Sequence, residues 1–291
     1  MPNLKEQVHV EAITLTVEGF RLRVLTAGEG PAVLLLHGFL VNADDWRPTI
    51  ACLAEAGYRA IAPDALGFGH SDKPGGAAYS LQRYADLNAG VLDALGVNAA
   101  TVVGHSMGGK HALATTVLHP ARVSRLLIAD SEGFMQLPLF MRKGGALPFL
   151  GEAILSLSAL PAVIRMQLGA AFADPARYVT PELVARGRET LGDPQVRHTM
   201  LSLSRHYEAN DLKGSGLWPR LAAIRCPTLI VWGAEDRLFP ARYAKEAQAA
   251  IPGAQLVIIP RCGHFPQLEA QERFHGLLLG FLAGQDTSQA A

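Results

Sequence analysis

Six short apolar runs constrain this chain more than any other feature: "AVLLLHG", "RAIAPD", "ATVVGHS", "SRLLIAD", "PTLIVWG" and "AQLVIIP". Most are continuous rather than alternating, the pattern of parallel strands covered on both faces. Between them, 46–56, 81–95, 107–119 and 241–250 carry helix-like patterns. Strands alternating with helices fold as a doubly wound α/β sheet with right-handed crossovers. Two earlier strand-like runs, "EAITLTVEG" and "FRLRVLTAG", meet at Glu18-Gly19, which reads as a hairpin.

The rhythm breaks once. Nearly a hundred residues separate "LLIAD" from "PTLIVWG", too many for a loop in a compact domain. Residues 134–218 read as short amphipathic helices cut by prolines and glycines, a helical cap inserted into a core formed by 1–133 and 219–291. The final "AGQDTSQAA" lacks apolar anchors and is expected to fray.

With 291 residues, 49% of them hydrophobic, the chain can bury a sizeable core. Its 26 basic and 26 acidic residues form no block of like charge, which argues against a nucleic-acid groove or a polybasic membrane anchor. No apolar run reaches the length of a membrane span. The opening "MPNLKEQVHV" is too polar for a signal peptide. Cys52, Cys226 and Cys262 are odd in number and lack metal-ligand spacing, so buried free thiols in a reducing compartment are expected. The expectation is a cytoplasmic protein acting on a small molecule, with a homodimer left open.

In "TVVGHSMGGKHAL", Ser106 stands between Gly104 and Gly108, where a strand gives way to a helix. A turn that sharp strains its central residue, and side chains two positions either side would collide, so both positions are glycine. The hydroxyl is lifted clear of the sheet, and the helix that follows aims its free N–H groups at the same spot. A neutral hydroxyl is a poor nucleophile; it needs a base, and the base an orienting acid.

His264, in "RCGHF" after the last strand, is placed to be the base. Of the other histidines, His111, His119, His198, His206 and His275 fall in helical segments, while His9 and His70 read as surface residues. The acid is expected after the preceding strand, in "GAEDRLFP". There Asp236 is chosen over Glu235, with Asp130 and Glu132 after "RLLIAD" as alternatives. Oxyanion donors are assigned to the backbone N–H groups of Met107 and Phe39, Gly38 letting that loop turn. His37 is read as holding the loop by hydrogen bonds. "PDALGFGHSDKP" lacks a P-loop lysine-serine and reads as a structural turn.

The His37-Gly38 loop, "DALGFGHSD", "GHSMGG", "WGAEDRLFP" and "CGHFPQLE" together resemble the α/β-hydrolase superfamily, in that family's order, over about 11–282. The order Ser106, Asp236, His264 also matches. The resemblance implies a mostly parallel eight-stranded sheet, a cap domain, and an acyl-enzyme mechanism with no cofactor or metal. Serine at 106 sets the chain apart from members with an aspartate nucleophile. Among serine members, carbon–carbon bond hydrolases of ring-cleavage products commonly carry asparagine before the serine, tryptophan after the histidine and a cap arginine for the substrate carboxylate. Here those positions hold His105 and Phe265, and Arg186 and Arg188 are candidates for the arginine.

These departures point to a carboxylic ester hydrolase. The cap's Phe134, Leu137, Leu139, Phe140, Met141, Leu147, Phe149, Leu150, Leu155, Leu157, Leu160 and Met166 suggest an apolar acyl or alcohol group, though most are expected to pack the cap on the core. Carbon–carbon bond hydrolysis is the alternative. Acyl transfer, perhydrolysis and a non-catalytic receptor on the same fold are further ones.

Overall fold

The computed structural model describes residues 8–75, 79–135, 147 and 149–287. The eight runs form strands β1 (Glu11–Val17), β2 (Phe20–Ala27), β3 (Ala32–Leu36), β4 (Arg59–Pro63), β5 (Ala100–His105), β6 (Val123–Ala129), β7 (Thr228–Gly233) and β8 (Gln255–Ile259). They make one sheet in the order β1-β2-β4-β3-β5-β6-β7-β8. β1 and β2 form the hairpin, β2 runs antiparallel to β4, and the remaining pairs are parallel.

Every residue of β5 and β7 is buried, as their unbroken apolar character requires. Alternate residues feed two separate cores. Leu34, Ile61, Val102, Ile128 and Ile230 face one side, against helices α2 (Leu81–Ala94) and α3 (Met107–Leu118). Leu35, Ala62, Val103, Leu127 and Val231 face the other, against α1 (Arg47–Glu55) and a helix at the C-terminal end of the chain. The central strands are thus covered on both faces, and their C-terminal ends carry the loops of the site.

Between β6 and β7 the described residues form α4 (Leu150–Ser158), α5 (Pro161–Ala171), α6 (Pro175–Tyr178), α7 (Pro181–Gly192), α8 (Pro194–Arg205) and α9 (Tyr207–Asn210). Four of these helices carry proline at their first turn, where the missing N–H costs nothing, and Asp174, Thr180 and Asp193 cap three of them. Ile164, Val184 and Leu191 give this group a small core of its own. Phe134, Leu212 and Leu217, at its margins, belong instead to the main core. After β7 come α10 (Arg242–Ala250), α11 (Pro266–Glu269) and α12 (Gln271–Leu282), the last of these supplying Phe274, Leu278 and Phe281 to the second core.

Three expectations need correction. The chain end is tied down as far as Thr287, whose N–H and hydroxyl both donate to Gln255 Oε1 (2.9 and 2.6 Å). Cys262 is buried, but Cys52 and Cys226 are only partly so. Of the apolar cap residues, Phe134 and Leu155 are buried, whereas Leu147, Phe149, Leu150, Leu157, Leu160 and Met166 are exposed rather than packed on the core. Leu137, Leu139, Phe140 and Met141 lie outside the described residues. Among the described residues no single helix is long and apolar enough to cross a membrane.

Candidate active site

Ser106 sits at the end of β5 with φ +54° and ψ −120°, a conformation that costs a non-glycine residue about 1–3 kcal/mol. Neighbouring backbone over-determines it: its N–H donates to Ala129 O, and its carbonyl accepts from Gly109 and Glu132. A Cβ on Gly104 would run into the Gly108 carbonyl, and one on Gly108 into the Leu36 carbonyl. The elbow closes this tightly because both positions lack side chains. Met107 opens α3, so its N–H is among the free donors at the helix start.

The loop after β3 lies directly against the elbow. A Cβ on Gly38 would stand 3.1 Å from Ser106 Cβ and from His105 Nδ1. His37 fixes that loop: its Nε2 accepts from the Ala65 N–H (2.9 Å), so Nδ1 carries the proton and donates to Gly38 O (2.8 Å). Both ring nitrogens are thereby engaged, and His37 is not free to act as a base. The Ala65 partner belongs to the "PDALGFGHSD" turn. That turn is held by the fully buried Asp64, which accepts from Ala43 and His70 N–H groups and pairs with Arg23.

His264 and Asp236 come together from two separate loops, Nδ1 donating to Oδ2 at 2.8 Å. The loop after β7 is shaped by Asp236 itself, whose Oδ1 accepts from the Leu238 and Phe239 N–H groups (2.8 and 2.9 Å). Trp232 adds an indole N–H to Phe239 O (2.7 Å). Glu235 points to solvent. Asp236 thus accepts three hydrogen bonds and presents one oxygen to the imidazole.

Asp130 also reaches this cluster: one donor atom from each of Asp130, Asp236 and His264 lies within 4.8 Å of the others. Burial first, and then the Asp236 charge, hold the Asp130 carboxyl well above the usual carboxylate range. Glu132 is not brought to the histidine; it pairs with Lys110 Nζ at 2.9 Å.

The sequence carries no signal for three links around the histidine loop. Glu269 clamps the histidine loop to the cap: Oε1 accepts from Gly263 and Phe265, and Oε2 accepts from Ala173 (2.7 Å). His264 N–H in turn donates to Ala171 O at the end of α5 (2.7 Å). His105 Nε2–H donates to His264 O (2.6 Å), linking the elbow to the histidine loop. Burial and the adjacent His264 push the His105 imidazole well below its usual value, so it stays neutral. The His105 and Phe265 rings lie 4.9 Å apart, and Phe265 stacks on Phe172 from the cap at 5.1 Å. The two departures noted in the sequence are therefore in contact and form one aromatic wall beside the histidine. Arg186 pairs with Asp45 at 2.9 Å, and Arg188 is exposed.

Strand order, elbow and loops define a hydrolase class, and the comparison with known proteins agrees. The family description "alpha/beta hydrolase fold" matches residues 31–271, and the chain belongs to that family. It is a hydrolase of that fold. Among similar proteins, 2-hydroxy-6-oxo-6-phenylhexa-2,4-dienoate hydrolase of Burkholderia cepacia is 32% identical, covering 97% of this chain and 99% of its own. A 2-hydroxy-6-oxononadienedioate/2-hydroxy-6-oxononatrienedioate hydrolase of Comamonas testosteroni is 33% identical with the same coverage. A meta-cleavage product hydrolase from Pseudomonas fluorescens IP01 superposes with a TM-score of 0.79 at 28% identity, over 96% of this chain and 98% of that one.

These relatives overturn the carboxylic ester expectation. It rested on His105 and Phe265, yet proteins named for ring-cleavage products match the chain over nearly its whole length. Two side chains that pack against each other are weak grounds for assigning a substrate class.

Proposed function

We propose that the chain hydrolyses a carbon–carbon bond in a meta-ring-cleavage product, a 2-hydroxy-6-oxodienoate, with Ser106, His264 and Asp236 as its catalytic residues. The observation that carries the reading is full-length similarity to hydrolases of such compounds, joined to a strained serine and a hydrogen-bonded His264–Asp236 pair.

In the keto tautomer of such a substrate, C5 is a methylene between the C6 ketone and a conjugated enone. Ser106 Oγ attacks C6 while His264 takes its proton, and the N–H groups of Phe39 and Met107 hold the oxyanion. Collapse breaks the C5–C6 bond. The electron pair passes from C5 through the enone to the C2 oxygen, giving a dienolate that takes up the proton. Water, activated by His264, then releases the carboxylic acid from Ser106. The sum is substrate plus water giving one carboxylic acid and one 2-hydroxydienoate.

Asp236 holds the imidazole in the required tautomer and stabilises its charged form. The aromatic rings of His105, Phe265 and Phe172 stack beside His264, and the phenyl groups among them suit a substrate bearing an aryl group at C6.

A panel of ring-cleavage products tests the reading. The phenyl ketone dienoate is expected to give the highest kcat/KM and 2-hydroxymuconate semialdehyde a lower one. Turnover of p-nitrophenyl esters alone would refute it.

A further inference from the structure

Asp130 stands out among the buried groups the mechanism leaves unused. Its side chain is fully buried at the C-terminal end of β6. Oδ1 accepts one hydrogen bond, from the Gly233 N–H at 2.9 Å, while Oδ2 has no hydrogen-bond partner among the described residues. Among the described residues, the ionisable groups facing it are Asp236 after β7, His264 and Cys262 after β8, and Glu269 on α11. No lysine or arginine is among them. Two carboxylates cannot both hold charge this close in a buried site, and Asp236, with three donors against one, is the better solvated.

We infer that Asp130 is a positioning residue, held as a neutral carboxylic acid whose Oδ2–H donates to the Asp236 carboxylate and fixes its plane toward His264. The contact gives the orphaned oxygen a partner, leaves a single negative charge on the pair, and places it on the residue that touches the histidine. Burial and the Asp236 charge, which raise the Asp130 carboxyl, act in the same direction. The inference rests on Asp236 and His264 forming the hydrolytic pair, but not on which substrate the chain cleaves.

Infrared difference spectra of wild type minus Asp130→Asn at pH 7 read the protonation state without any substrate. The expected difference is the carbonyl stretch of a protonated carboxylic acid, present only in wild type; carboxylate bands in its place would overturn the inference. Kinetics on the phenyl ketone dienoate supply the second arm. Asp130→Asn, which can still donate to Asp236, should keep most of the turnover. Asp130→Ala should lose about tenfold in kcat with KM little changed.

The acidic limb of kcat/KM should coincide in wild type and Asp130→Asn. A limb displaced to lower pH in the asparagine variant would mean that a negative charge had been removed, and would also refute the inference. Should wild type fail to turn over the dienoate, the substrate reading falls, while the infrared arm still decides the state of Asp130.

Discussion

Asp236 illustrates how much of this site is set by single side chains. It builds its own loop through two backbone N–H groups and presents its remaining oxygen to His264. Asp236→Asn should preserve the fold, because an amide can take over part of those contacts. It should nevertheless lower kcat by about 10³- to 10⁴-fold, the imidazole being left in the wrong tautomer. Steady-state kinetics beside a far-ultraviolet spectrum separate the two effects, and a loss under tenfold would remove Asp236 from its role. The sequence made this residue legible through its distance past the Gly233 turn. Asp130 was legible only as a rival for the same place, because its burial and its missing partner are properties of the folded site. His37 could be read as a loop holder, whereas the tautomer that fixes that role needed the Ala65 N–H.

At the scale of elements, sheet and helices followed from continuous apolar runs and their spacing. The contacts joining cap to core did not, because they are made by backbone groups that carry no residue signature. Glu269 is the clearest case: one carboxylate receives three N–H groups from two loops. Glu269→Ala would strand these donors in a half-buried site and should cost about 2–4 kcal/mol in urea unfolding. It should also raise KM and lower kcat together, since the histidine loop and the end of α5 lose their shared anchor. Glu269→Gln, which keeps one acceptor oxygen, should fall between. A change in stability with kinetics untouched would make the clamp purely structural. The apolar face of α4 and α5 carries the opposite lesson: its periodicity predicted packing on the core, yet Leu157 and Met166 are 61% and 67% exposed. Hydrophobic pattern identifies a face but not what covers it.

Over the whole molecule, the raised Asp130 carboxyl ties stability to pH. A native carboxyl held above its ordinary range keeps its proton after the unfolded chain has released one, so its contribution to stability is full below the ordinary aspartate value of about 3.9 and declines as pH rises. Asp130→Asn removes that decline. Its stability relative to wild type should therefore rise between pH 5 and pH 7, by at most about 1.4 kcal/mol per pH unit. Chemical unfolding at the two values checks this, and a difference independent of pH would contradict it. Similarity over nearly the whole chain, the strained elbow and the hydrogen-bonded pair meet in one claim, that Ser106 cleaves a carbon–carbon bond. The most direct test follows the loss of dienolate absorbance from 2-hydroxy-6-oxo-6-phenylhexa-2,4-dienoate, with wild type beside Ser106→Ala. Wild type should release benzoate and 2-hydroxypenta-2,4-dienoate in equal amounts, and the variant should lose at least about 10³-fold in kcat. Equal inertness of both proteins, or equal turnover by both, would contradict the claim.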